Sequence, residues 1–327
     1  MILIHDTHLG VMRSAGTTPA SAAALKQNMH FTFCNMLDDT NESLAIVGDL
    51  FDSYNVSNTD LLLTYGALKN WQTKGYALYM IPGNHDMSSD SSKLSSFHLL
   101  CHLLDVKPSE GLCELEDGIW SISHMVNQDT FDAELAKVKP CDYLLLHANY
   151  DNNFATGDHS LNVSKQQATD LPVGHLYFAH EHAHRTALGG KVYIGGNQMP
   201  SSVSDCLDKQ NKFMTRLTAL DIERIQTWDK ENYAEITWDA QEPTQAKFVR
   251  LVGQCQPERT AYMVSAVAAY RKGSDAFIVS NAVQIGSSEE LAEIAATSLE
   301  GLKQFDVMGA LKEFLTEEEF SKLGELV

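Results

Sequence analysis

With 327 residues, 44% of them hydrophobic, the chain is long enough for one large domain and one or two smaller ones with buried cores. No apolar run approaches the roughly 18–20 residues that span a bilayer, and the opening Met-Ile-Leu-Ile-His-Asp lacks the length and basic flank of a signal peptide, so a cytoplasmic protein with no membrane partner is expected. A formal net charge of -19 argues against a protein that grips nucleic acid by itself: either the substrate is small or a partner supplies the basic surface.

Taken in chain order, short apolar runs alternate with helical patterns. Strands are expected at Ile2–His5, Leu44–Gly48, Tyr76–Ile81, Tyr143–His147 and Leu176–Ala179, and helices near Pro19–Asp38, Asn58–Thr73 and Ser92–Leu104. That alternation predicts a layered α/β sheet with polar residues crowding the carboxyl ends of its strands. From about Tyr193 to Trp238 short strands with Gly and polar turns follow, suited to closing the first domain's sheets. A second unit, locally mildly basic through Lys247, Arg250, Arg259, Arg271 and Lys272, begins near Ala246. Three apolar-striped helices are expected at the end: Glu289–Leu302, Asp306–Leu315, and one opened by the Thr316/Glu319 capping pair. The expected domains are thus 1–240, 245–286 and 287–327. None of the six cysteines forms a CxxC pair, so reduced thiols are expected rather than a zinc ribbon or redox pair.

The chemistry-bearing residues sit just past the strands: Asp6-Thr7-His8, then Gly48-Asp49-Leu50-Phe51-Asp52, Gly83-Asn84-His85-Asp86, His147, and His180-Glu181-His182-Ala183-His184. Carboxylate, amide oxygen and imidazole are the donors that hard and borderline divalent metals take. Two such metals about 4 Å apart can clamp an in-line displacement at phosphorus, with one carboxylate, here Asp49, bridging them. Each motif alone is weak. Together, core packing would need separate partners for every one of these buried polar groups.

DxH, GDxxD, GNHD, a strand-end His and a late HxH, in this order over roughly residues 1–205, resemble the signature of calcineurin-like metallophosphoesterases. The versions Asp6-Thr7-His8-Leu9-Gly10 and Gly48-Asp49-Leu50-Phe51-Asp52 are similar to those of the SbcD branch of nucleases, phage members included. The Arg-containing second motif of the family's protein phosphatases is missing. The resemblance implies an α/β (α+β) fold, a four-layer β-sandwich flanked by helices, with a smaller α/β capping domain, opened by Phe248-Val249-Arg250-Leu251, and C-terminal helices. It also implies two divalent metals, Mn²⁺ foremost, with Mg²⁺, Fe²⁺ or Zn²⁺ as alternatives.

Carried over, Asp6, His8, Asp49 and the last His of the HxH pair hold one metal. Asp49, Asn84, His147 and the first His of that pair hold the other. The pair reads as His182 and His184 when Arg185 is taken as the basic residue that often follows in the branch, leaving His180 as a rim or supporting group. Reading His180 and His182 is the alternative. His85 is implied as the group that protonates the leaving oxygen or stabilises the transition state. Asp52 and Asp86 either orient ligands or cap turns, and His5 stands where the branch often has Ser. The implied activity is 3′–5′ exonuclease and endonuclease action at DNA ends. The implied partners are DNA, an SbcC-type coiled-coil ATPase docked through the C-terminal helices, and a second copy in a homodimer. Two other readings stay open: a small-molecule or nucleotide phosphodiesterase on the same scaffold, and a non-catalytic, metal-stabilised scaffold.

Overall fold

The computed structural model describes residues 1–11, 19–88, 93–152, 161–201, 211–219, 221–276 and 278–286. The expected helices of 287–327 lie outside the described residues. In chain order the elements are β1 (Ile2–Ile4), α1 (Pro19–Asp38), β2 (Leu44–Val47), α2 (Asn58–Gln72), β3 (Leu78–Ile81), α3 (Ser96–Leu104), β4 (Leu112–Glu116), β5 (Ile119–Ile122), α4 (Gln128–Leu135), β6 (Cys141–His147), β7 (Asn149–Tyr150), β8 (Asn162–Val163), α5 (Lys165–Asp170), β9 (Val173–Ala179), β10 (Arg185–Ala187), β11 (Val192–Ile194), β12 (Lys212–Leu217), β13 (Ile222–Trp228), β14 (Tyr233–Thr237), β15 (Phe248–Val252), β16 (Gln254–Cys255), α6 (Thr260–Gly273), β17 (Ile278–Asn281) and β18 (Gln284–Ile285).

Two mixed sheets form the body, ordered β13-β12-β1-β2-β3 and β10-β11-β9-β6-β5-β4. Their central strands are parallel: β1 with β2 and β2 with β3 in one, β5, β6, β9 and β11 in the other. Antiparallel strands sit at the β13 edge of the first sheet and at both edges of the second, while the β3 edge is parallel. The pleat divides each strand between two cores. Ile2, Ile4, Leu44 and Ile46 pack with Leu25, Phe33, Leu68 and Phe97 from α1–α3. Leu3, Ala45 and Val47 turn the other way and meet Tyr143, Leu145 and Tyr177 of the second sheet. That sheet's far face carries Leu144, Leu146, Leu176 and Phe178 against Phe131 of α4 and Ala168 of α5. The result is four layers, helix–sheet–sheet–helix. Strands buried on both faces must read as unbroken apolar runs, which is how Leu44–Val47 and Leu144–Leu146 read.

The chain divides into two units: Met1–Ile236 with Glu242–Arg250 and Ser274–Ser280, and Thr237–Gln241 with Leu251–Gly273 and the described residues from Asn281. In the second, Trp238 is the anchor: its Nε1 donates to Gln254 O at 3.0 Å, and Tyr262 and Arg259 of the α6 region lie over its ring. No described helix is long and apolar enough to cross a membrane.

Element ends follow local chemistry. Ser57 and Ser95 accept the Asp60 and His98 N–H bonds and so start α2 and α3. The Ser95 cap sets the start of α3 at Ser96; Ser92, the expected start of the helix, lies outside the described residues. β1 and β2 stop one residue short of their expected ends, where the backbone turns into the functional loops.

Candidate metal centre

Five strands deliver the polar residues to one edge of the sandwich. Asp6 lies two residues past β1, Asp49 two past β2 and Asn84 three past β3. His147 ends β6, and His180 follows β9 directly. Asp6, His8, Asp49 and His180 all have left-handed backbones, with φ of 49°, 45°, 51° and 80°. That conformation costs a side-chain-bearing residue roughly 1–2 kcal/mol and persists only where surroundings over-determine it. Here they do: Asp6 N–H donates to Gly48 O at 3.1 Å, His8 N–H to Asp49 O at 3.0 Å and Leu9 N–H to Leu50 O at 2.8 Å. Gly48 and Gly83 make room, since a Cβ on Gly48 would fall on the His147 ring and one on Gly83 on the Asp49 carboxylate.

Three overlapping groups of donors result, each with its ligand atoms within 4.8 Å of one another: Asp6, His8 and His182; His8, Asp49 and His85; and Asp49, His147 and His180. Asp49 is common to two of them. Its Oδ1 lies 3.3 Å from His147 Nε2 and its Oδ2 lies 3.9 Å from His8 Nε2. Asn84 Oδ1 is 3.0 Å from His147 Nε2.

These residues fit divalent cations on the structure's own terms. Asp6 Oδ1 and both ring nitrogens of His8 are buried without a hydrogen-bond partner. His147 Nδ1 is engaged by Val47 O at 3.2 Å, so in a neutral ring Nε2 carries a lone pair aimed at two oxygens, from Asp49 and Asn84. Three acceptors facing one another need a proton or a cation between them. The donor set is oxygen and imidazole with no thiol, which suits two borderline or hard divalent ions.

The charges agree. Burial would lower the His147 pKa, but the Asp49 carboxylate and its hydrogen bond override it and raise the value to about 9. Burial would raise Asp49, and the charge and hydrogen bond of His147 hold it well below the carboxylate range instead. Burial, with the charge of His147 beside it, pushes His180 down to about 4, leaving its ring neutral and able to ligate.

A raised folded pKa means His147 stabilises the metal-free protein as an imidazolium, an effect full below its ordinary value near 6.5 and lost as pH rises through about 9. A cation must displace that proton. Mn²⁺ affinity is therefore expected to rise by about tenfold per pH unit between about pH 7 and 9, then level off, with one proton released. Calorimetry in buffers of different ionisation enthalpy reads the proton directly; affinity flat over that window contradicts this account.

Of the two HxH registers, the structure brings His180 and His182 among the donors, and His184 lies outside the three groups. Its Nδ1 donates to Ile194 O at 2.6 Å and its ring lies against Tyr193. Arg185, the residue used to favour His182 and His184, pairs with Glu181 at 2.6 Å and donates to Tyr150 O. Distance from the strand separates the two registers: His180 and His182 stand one and three residues past Ala179, whereas His184 stands five past.

Asp86 and Asp52 support the loops rather than entering the three groups. The Asp86 carboxylate, fully buried, accepts the N–H bonds of Gly83 at 3.0 Å, Leu50 at 3.3 Å and Phe51 at 3.1 Å, tying the GNHD loop to the GDLFD loop. Burial, then the nearby Asp49 charge, raises its pKa to about 7. Asp86→Ala strands three buried donors and is expected to destabilise the protein by about 3 kcal/mol, roughly 1 kcal/mol each, measured by urea unfolding. Asp52 O accepts from His85 Nδ1 at 2.6 Å, and its Oδ1 lies 3.6 Å from His8 Nδ1. Sequence reasoning missed one further link. His5 Nδ1 bonds Asp6 Oδ2 at 2.7 Å, its Nε2 bonds Tyr177 Oη at 2.7 Å, and that hydroxyl meets Thr215 Oγ1 at 2.9 Å. This chain of hydrogen bonds fixes the Asp6 carboxylate from behind.

A family model described as calcineurin-like phosphoesterase matches residues 4–184, more than half of the chain. The chain belongs to the calcineurin-like phosphoesterase family. Membership implies metal-dependent phosphoester hydrolysis, and the Asp/His cluster is compatible with two divalent ions. Phosphatase DCR2 of Saccharomyces cerevisiae is 32% identical over 92 residues, which cover 26% of this chain and 16% of the yeast protein's length. The crystal structure of a dimetal phosphatase from Danio rerio aligns over 70% of this chain and 96% of its own, at 11% identity and a TM-score of 0.34.

Proposed function

We propose that this metallophosphoesterase hydrolyses phosphodiesters, with DNA ends as its substrate. The observation that carries hydrolysis is the convergence of Asp6, His8, Asp49, Asn84, His147, His180 and His182, with Asp49 shared and buried donor atoms of Asp6 and His8 unpartnered. Divalent ions held there would neutralise the phosphate and supply a hydroxide-like nucleophile near neutral pH. The chain's own groups do the rest. Asp49 fixes the spacing of the two donor sets, the glycines admit close approach, and His85 supplies the leaving-group proton.

The DNA reading rests on the two motif versions that resemble the SbcD branch, DTHLG and GDLFD. Leu9 and Phe51 of those motifs pair as a β-bridge, and Asp52 N–H donates to Leu9 O at 3.1 Å, so the two stretches act as one unit beside the cluster. In the full proposal the protein is a homodimeric, Mn²⁺-dependent cytoplasmic nuclease subunit. The mildly basic residues of 245–286 face DNA, and residues 287–327 dock an SbcC-type ATPase that offsets the -19 charge. The test is cleavage of end-labelled linear duplex DNA with Mn²⁺, with and without the ATPase, beside a generic aryl phosphodiester. Metal-dependent shortening of the duplex is expected. Hydrolysis of the ester alone, under both conditions, replaces the DNA reading with a small-molecule phosphodiesterase.

A further inference from the structure

A polar cavity of about 120 Å³ adjoins the donor cluster through His182. Beyond His182 it is bounded by Gly195, Gly196, Asn197, Lys212 and Arg224 among others, and none of the described residues that line it is an acid. In a chain of net charge -19, a cavity lined by two permanent cations and by no carboxylate among the described residues is a local inversion of sign.

The polar groups there are arranged as donors. Lys212 is 5% exposed and its Nζ donates to Asn197 Oδ1 at 2.6 Å. That bond fixes the Asn197 amide, because only its oxygen can accept from an ammonium. Asn197 Nδ2 is consequently a buried donor with no partner, on a residue 5% exposed. The Asn197 backbone is itself pinned, its N–H donating to His182 O at 3.0 Å. Arg224 is held by stacking, its guanidinium carbon 3.9 Å from the Phe213 ring centroid, and no carboxylate among the described residues pairs with it. Stacking uses the faces of the guanidinium and leaves its N–H edge for a planar or tetrahedral oxyanion. An unpartnered buried amide, a buried ammonium and a stacked guanidinium around one cavity make a site for an anion.

We propose that this cavity is an anion subsite holding a phosphate of the substrate adjacent to the one attacked at the metal centre. The inference rests on the phosphodiesterase reading and adds to it: the preferred substrate is a strand with consecutive phosphates, and Arg224, Lys212 and Asn197 determine that preference.

Two substrates differing only at the subsite test it: the p-nitrophenyl ester of thymidine 5′-phosphate, and the same ester with a second phosphate on the 3′ oxygen. The wild-type protein with Mn²⁺ is expected to prefer the second ester by about tenfold in KM, the scale of one charge-assisted hydrogen bond. Arg224→Gln should remove most of that ratio. So should Asn197→Asp, which places a carboxylate in the cavity. Binding of inorganic phosphate to the metal-free protein, followed by ³¹P line broadening, gives a readout independent of turnover and should weaken in both variants. Phosphate binding that is lost in the variants while the wild type hydrolyses neither ester upholds the subsite and removes the phosphodiesterase reading. Hydrolysis of both esters with no preference, or variant effects equal on the two, or phosphate binding unchanged by Arg224→Gln, overturns the subsite and leaves the phosphodiesterase reading intact.

Discussion

Asp49→Ala is expected to abolish metal loading and turnover together, with kcat/KM falling by at least about 10³-fold, the scale of losing a preorganised electrostatic partner. The reason is position. One oxygen of Asp49 faces His147 at 3.3 Å and accepts the His85 N–H at 2.9 Å, while the other faces His8 at 3.9 Å. No other carboxylate serves two of the three donor groups. Without it, the charge that raises the His147 pKa is gone, and Asn84 alone remains opposite Nε2. Mn²⁺ at a hundredfold excess over its dissociation constant would stabilise the wild type by about 2.7 kcal/mol, seen as a shift in melting temperature that Asp49→Ala should lose. Asp49→Asn separates shape from charge: it keeps an oxygen at the site and is expected to recover folding but little of the shift. A variant that keeps the full Mn²⁺ shift would show that Asp49 does not join two cations.

Much of this arrangement was legible in the residues before any coordinates. The apolar run Leu44–Val47 followed by Gly-Asp shows a strand buried on both faces that ends in a tight turn, and the same grammar holds at Ile81 and Ala179. Donor types past strand ends then mark a metal edge. What stayed illegible needed three dimensions. Nothing in the spacing says that Leu3 and Leu145 face each other while Ile4 and Leu146 face opposite helices, because each strand alternates identically. The β4–β5 hairpin was missed although Asp117-Gly118, with Gly118 at φ 75°, is a strong turn signal between alternating residues. The charged residues Glu114 and Glu116 on that edge strand hid its pattern.

The HxH ambiguity has a similar origin. H-x-H-x-H satisfies the motif in either register, and local preference cannot decide which ring turns inward. Backbone conformation decides it: His180, at φ 80° with its N–H bonded to Asp6 Oδ2 at 2.9 Å, swings the chain so that rings 180 and 182 face the cluster. By His184 the chain is entering β10 against β11. The His5–Tyr177–Thr215 chain was invisible for another reason, since it joins residues from three separated stretches through hydroxyl groups that carry no motif.

His85→Ala should lower kcat by about 10²- to 10⁴-fold on a substrate with an alkoxide leaving group, the range for removing a positioned general acid, while sparing the metals. Its Nδ1 donates to Asp52 O at 2.6 Å, so Nε2 is the nitrogen that exchanges a proton: bare in the neutral ring, it carries a transferable proton in the imidazolium. Its backbone N–H on Asp49 Oδ1 ties the ring to the carboxylate that organises the centre, and its ring packs edge-on against His8 with centroids 4.9 Å apart. Proximity to His8 and Asp49 also makes His85 a possible ligand by geometry alone. Two measurements separate the roles. A proton donor matters less when the leaving group is already stable as an anion, so the loss on a p-nitrophenyl ester should be much smaller than on a DNA strand. A ligand matters equally for both, and its removal lowers metal content. Equal losses on the two substrates, accompanied by a fall in bound Mn²⁺, would move His85 from donor of the leaving-group proton to holder of a cation. Unequal losses with full metal content fix it as the acid.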